Sequence, residues 1–202
     1  MDSLPPKSGI DRTFWLDAAL LFLLELALFL PALLRGEIPY FMDTIAQFYP
    51  IRHHAAQLLH EGQLPFWNRT MFCGVPLLAN PQWGLLYPLN WPFLAWAGPF
   101  WFTVSYPLHF AIGGLGVCAL VHRLTESRIA GWAGALAFLF STMTMSRIAF
   151  GAHHLALAWV PWAWLLLHNV GWVSTHHFVK RTLLLTCIIA LQLLSGAPQV
   201  AF

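Results

Sequence analysis

One short stretch, "YFMDTIAQFYPIRHHAAQLLHEGQLPFWN" at residues 40–68, sets a carboxylate, an arginine and three histidines close together. Asp43 comes first, followed by Gln47, Arg52, His53 and His54. A carboxylate here has two readings: a general base taking a proton from a hydroxyl, or the N-cap of a helix that starts after the extended "IPYFM". At helical spacing Asp43, Gln47 and His54 stand at i, i+4 and i+11, roughly one face. Arg52, His53 and His54 can bind an anionic oxygen or position an acceptor. A second group, Arg147, His153 and His154, lies in "SRIAFGAHH", and Arg suits bidentate phosphate contacts. Arg147 can equally snorkel to headgroups. Gln199 follows a proline in "GAPQ", where a helix break exposes backbone groups.

Metal chemistry fits these residues poorly. Adjacent histidines point apart on a helix, whereas metal ligands commonly pair at i,i+4, and no second carboxylate joins Asp43 in a D-x-D. The expectation is no cofactor, with a divalent metal as the minor alternative. Cys73, Cys118 and Cys187 are too scattered for a disulfide framework or a zinc site.

The elements that position these side chains must do so in lipid. Of 202 residues, 58% are hydrophobic and 9% charged, against about 25% charged in soluble domains. Mean hydropathy is +0.64. A net charge of +2, dispersed along the chain, argues against a nucleic-acid partner. The apolar run 13–34 is too long for a signal peptide's core of about 7–15 residues and reads as a retained span. Further spans are expected at 98–121, 129–148, 152–170 and 182–202, each long enough for a hydrocarbon core of roughly 30 Å. The fold class is therefore all-α, a polytopic membrane helix bundle. "GGLG" at 113–116 sits inside a span, where small residues serve helix packing.

Basic residues orient the chain. With residues 1–12 cytoplasmic, the inner segments hold Lys7, Arg12, Arg123, Arg128, Lys180 and Arg181, and the short outer turn holds Arg147. The loop 35–97 is then extracytoplasmic. Pro50 suits the start of a helix, and the apolar spacing around it predicts amphipathic helices on the outer surface. Downstream, many Pro and Gly residues predict ordered turns, with Trp67, Trp83, Tyr87, Trp91 and Trp96 suited to headgroup level. Asn80, Gln82 and Asn90 are expected to satisfy their own loop's backbone. Glu25, inside "LLFLLELALFL", is a functional candidate or an inward-facing structural acid. The chain stops inside an apolar segment, so a longer parent protein is expected.

Five blocks in order carry a resemblance. They are D-x3-Q-x2-P (Asp43, Gln47, Pro50), G-x-L-P-x-W-N (Gly62 to Asn68), C-G-V-P-L-L-A-N-P-Q-x-G-x-x-Y-P-x-N (Cys73 to Asn90), G-x-H (Gly151 to His153) and G-x-P-Q (Gly196 to Gln199). Together they resemble the YfhO-like bacterial membrane proteins, which belong with the polytopic glycosyltransferases of the GT-C fold. The resemblance implies a polyprenyl-phosphate-linked sugar donor, a cell-envelope polymer, glycolipid or protein as acceptor, and a cytoplasmic-membrane location. It implies that Asp43 is the acidic residue of the first extracytoplasmic loop, the general base. Arg52, His53, His54, Gln47, Arg147, His153 and Gln199 are then candidates for binding donor or acceptor. A transporter or flippase of lipid-linked glycans, and a non-catalytic scaffold, are the competing classes; no internal repeat of the kind common in transporters is visible.

Overall fold

The computed structural model describes residues 12–39, 43–170 and 175–197. Gln199, the N-terminal residues 1–11 and the end of the fifth expected span lie outside the described residues.

The first span forms α1, Arg12–Arg35. A π-helical turn, Thr44–Phe48, leads into α2, Tyr49–His60, which Pro50 opens at a position where its missing N–H costs nothing. The rest of the loop is turns. A minimal antiparallel pair, β1 (Trp67–Asn68) and β2 (Val75–Pro76), is followed by two 3-10 turns that each begin with a proline. Then come α3, Trp91–Trp96, and the long α4, Pro99–Thr125.

The expected third span, 129–148, is not one continuous helix. It comprises α5, Arg128–Leu139, then α6, Thr142–Ser146, then a 3-10 turn, Arg147–Ala149. Ser141 makes the break, because its Oγ accepts from the Thr144 N–H at 3.1 Å and starts a new helix. The 152–170 segment divides into α7, His153–Leu157, and α8, Val160–Val170, and α9 runs Thr175–Leu194. Among the described residues, three helical stretches are long and apolar enough to cross a membrane: Thr13–Arg35, Pro99–Thr125 and Arg128–Ala149. The chain is thus mostly helical, and membrane association is the reading its helices support.

Helix α4 is the hub and packs against α1, α5, α7 and α8. Its glycines set the spacing. A Cβ on Gly113 would stand 2.9 Å from Phe138, one on Gly114 2.9 Å from Leu139, and one on Gly116 2.8 Å from Trp162. Three successive approaches thus depend on bare backbone, as the small-residue run implied. At the far end from the loop, Asp17 accepts from Arg128 Nη2 at 2.6 Å and from Trp132 Nε1 at 2.9 Å, tying α1 to α5. Glu25 is fully buried, and neither carboxyl oxygen has a hydrogen-bond partner among the described residues.

Candidate functional site

The blocks that are scattered in sequence meet in space. Phe48, on the π turn that carries Gln47 and follows Asp43, packs on Gly151, where an added Cβ would stand 2.6 Å from its ring. Gly196 packs on the Gln82 carbonyl, and a Cβ on Gly84 would stand 3.0 Å from the Ser195 carbonyl. Arg52 binds these pieces together. Its Nε donates to Trp83 O at 2.8 Å, its Nη2 to Gly151 O at 3.5 Å, and its guanidinium lies over the rings of Phe48 and Phe102. One side chain from α2 thereby holds the 80s turn, the turn before α7 and the first turns of α4.

Asp43 sits at the entry to this knot, half-buried. It precedes the π turn with helical dihedrals (φ −71°, ψ −31°), and its side chain makes no capping hydrogen bond. An N-cap normally has extended dihedrals and uses its side chain, so the capping role weighed from sequence is not the one this carboxylate plays. His153 lies close enough to feel Asp43. Burial is the main cause holding its imidazole below the ordinary value, and Arg147 adds to that. A backbone hydrogen bond to Phe150 and the Asp43 charge act the other way. Arg147 stands over the Phe150 ring at 6.0 Å, and Phe150 meets His153 edge to face at 5.3 Å. His153 thus lies within electrostatic reach of both Asp43 and Arg147, which brings a carboxylate, a cation and an imidazole into one region, the candidate mouth, and Gln47 lies on the π turn that follows Asp43.

Other expected site residues are placed differently. Arg52 is buried beneath the mouth, not on its surface, and desolvation lowers its guanidinium to about 10, so it stays cationic at neutral pH. His53 turns toward the end of α3, its Nδ1 bonded to Ala97 O at 3.1 Å and its ring stacked on Tyr49. His54 is half-buried on α2. Among the described residues no group of three His, Cys, Asp or Glu side chains is arranged to hold a metal ion. Asn80 accepts from Gln82 N at 3.0 Å and Asn90 donates to Gly84 O at 2.9 Å, so both serve their own loop.

A polar core below the mouth was not anticipated. Trp159 Nε1 donates to Tyr87 Oη at 2.8 Å, Tyr87 donates to His109 Nε2 at 2.8 Å, and His109 Nδ1 donates to Ser105 O at 2.6 Å. The carbonyl at one end and the indole at the other fix every direction in that relay for a neutral ring. His154 stacks on Tyr106 with centroids 4.1 Å apart, and both of its ring nitrogens lack a hydrogen-bond partner among the described residues. Trp83 and Tyr87, expected at headgroup level, are instead buried, whereas Trp67, Trp91 and Trp96 are exposed. The Tyr87 phenol finds partners inside the protein, which lets that amphipathic ring leave the interface, whereas the buried Trp83 Nε1 has no hydrogen-bond partner among the described residues. The signal available was the Y-P-x-N block, where Tyr87 sits amid turn residues without belonging to an apolar face.

No protein-family model, curated protein or solved structure matches the chain.

Proposed function

We propose that this protein is a membrane glycosyltransferase of the GT-C type. It moves a sugar from a polyprenyl-phosphate donor to a cell-envelope acceptor on the extracytoplasmic side of a bacterial cytoplasmic membrane. The observation that carries the reading is the mouth itself. Asp43 is half-buried, makes no capping bond, and lies within electrostatic reach of His153, which also feels Arg147, beside the contacts where four separated sequence blocks converge.

The chemistry asks for little more. The Asp43 carboxylate takes the proton of an acceptor hydroxyl while that oxygen attacks the anomeric carbon. The bond from that carbon to the phosphate oxygen breaks, and the phosphate leaves with the electron pair. Arg147 stabilises the charge that develops there. Attack opposite the leaving group inverts the anomeric centre. Arg52 serves this site by positioning, since it holds Gly151 and the π turn at a fixed separation. The test is to reconstitute the purified protein in vesicles and offer a labelled polyprenyl-phosphate sugar. Transfer to envelope material supports the reading; a donor that is never consumed removes it.

One pair of observations favours the transport alternative. The break at Phe140–Ser141 falls near the middle of the 128–149 stretch, and Glu25 is buried within α1 without a partner. Broken helices and buried acids at membrane depth mark transport pathways. Movement of a labelled lipid-linked glycan between leaflets, without transfer of its sugar, would select that reading.

A further inference from the structure

The loop carries a second concavity, well apart from the mouth. A groove of about 490 Å³ opens between the end of α2 and α3. Six leucines line it: Leu59, Leu64, Leu78, Leu85, Leu86 and Leu94. Leu85 and Leu94 form a buried floor, while Leu64 and Leu86 stand exposed at the walls beside Trp91. His60 is the one polar side chain in the lining, and its Nε2 is already engaged with Ala95 O at 2.8 Å.

We propose that this groove binds an acyl chain of a bilayer phospholipid, anchoring the loop in the leaflet. Three features select that occupant. First, the lining is almost wholly apolar, six leucines with Pro65 and Ala95, so a polar ligand has few partners there. The volume falls within the range of roughly 300–1,000 Å³ typical of ligand sites. Second, the groove adjoins a candidate membrane span. α3, which supplies Leu94 and Ala95, ends at Trp96, and the span α4 begins at Pro99. Trp96 stacks on Trp101 across that junction, and with Trp91 these indoles form the aromatic belt expected at headgroup depth. Third, the groove is remote from Asp43. Sixteen residues of nearly continuous helix separate Asp43 from Leu59, roughly 24 Å at 1.5 Å per residue. That separation makes it a lipid site in its own right, independent of the transfer reaction proposed above.

The experiment uses the full-length protein in nanodiscs containing phosphatidylglycerol with a diazirine on its acyl chain. After irradiation, adducts are mapped by peptide mass spectrometry. Adducts are expected on the segments 59–65 and 85–95, in addition to those on the lipid faces of α1 and α4. Ala95→Trp places an indole in the groove and should abolish the loop adducts, leaving the α1 and α4 adducts unchanged as an internal measure of folding. Leu64→Trp fills the groove from the opposite wall and should do the same; Ala95→Ser keeps it open and should retain them. Absence of loop adducts in the wild type, or their persistence in both filled variants, overturns the proposal. So does displacement of the label by unlabelled polyprenyl phosphate but not by unlabelled phosphatidylglycerol, which would assign the groove to the donor's tail.

Discussion

Replacing Tyr87 by Phe isolates the buried relay below the mouth. The substitution keeps the ring and creates no cavity, but removes the oxygen that joins Trp159 Nε1 to His109 Nε2. His109 is fully buried and its other nitrogen is committed to Ser105 O, so it has no second tautomer with which to escape. Trp159 is only half-buried and can recover part of its loss. Leaving two such groups unpaired at about 1–3 kcal/mol each gives a destabilisation of about 2–4 kcal/mol. For a chain of this size that corresponds to a fall in Tm of roughly 5–15 °C. The assay is thermal unfolding of the purified protein in bicelles, with Tyr49→Phe as control, because the Tyr49 hydroxyl has no hydrogen bond among the described residues. Interhelical hydrogen bonds within a bilayer average about 0.6 kcal/mol, because the unfolded chain also finds partners there. A Tyr87→Phe loss at that level, or one equal to Tyr49→Phe, would refute the reasoning that these groups are stranded without the phenol.

Three further expectations concern packing and charge. Gly131→Ala should destabilise by about 1–3 kcal/mol through overpacking, since its Cβ would stand 2.8 Å from the Cys118 carbonyl, and the helix backbone cannot yield. Gly134→Ala meets only the side chains of Val121 and Val117 and should cost less; the reverse order in unfolding experiments would contradict this packing. Glu25→Leu should stabilise the protein by about 1–3 kcal/mol, because it removes a buried acid with no partner. A loss of stability in steric-trap unfolding would mean that Glu25 has a bond the fold requires. His153 binds its proton less readily folded than unfolded, so the unfolded chain gains protons first as pH falls. Wild-type stability should therefore decline as pH drops through about 6.5, and less so in His153→Gln. Identical slopes in Tm against pH would exclude the effect.

Much of the frame was legible from local patterns. Long apolar runs forecast α1 and α4 to within a few residues, Pro50 forecast the start of α2, and the glycine run forecast the close helix contacts. These features depend on neighbours in sequence. What escaped depends on neighbours in space. Arg52 was expected to bind an anionic oxygen or position an acceptor, yet it is buried and donates to carbonyls of Trp83 and Gly151, 31 and 99 residues away. Tyr87 looked interfacial until His109 and Trp159 supplied its partners. The break at Ser141 escaped because serine inside an apolar run fits a span as well as a cap, and only the hydrogen bond to Thr144 decides between them. At the candidate site, residue types pointed to Asp43, Arg147 and His153, but their proximity needed the fold.

Asp43 is where the account is most exposed. The measurement compares the full-length wild type with Asp43→Asn in membranes at matched expression, counting labelled sugar transferred from a polyprenyl-phosphate pool to envelope material. Asn keeps the shape and cannot take the acceptor's proton, so transfer should fall by about 10²–10⁴-fold, the usual contribution of a general base, while the variant keeps its wild-type Tm. Equal transfer by both proteins would contradict the account and leave Asp43 without a role in catalysis.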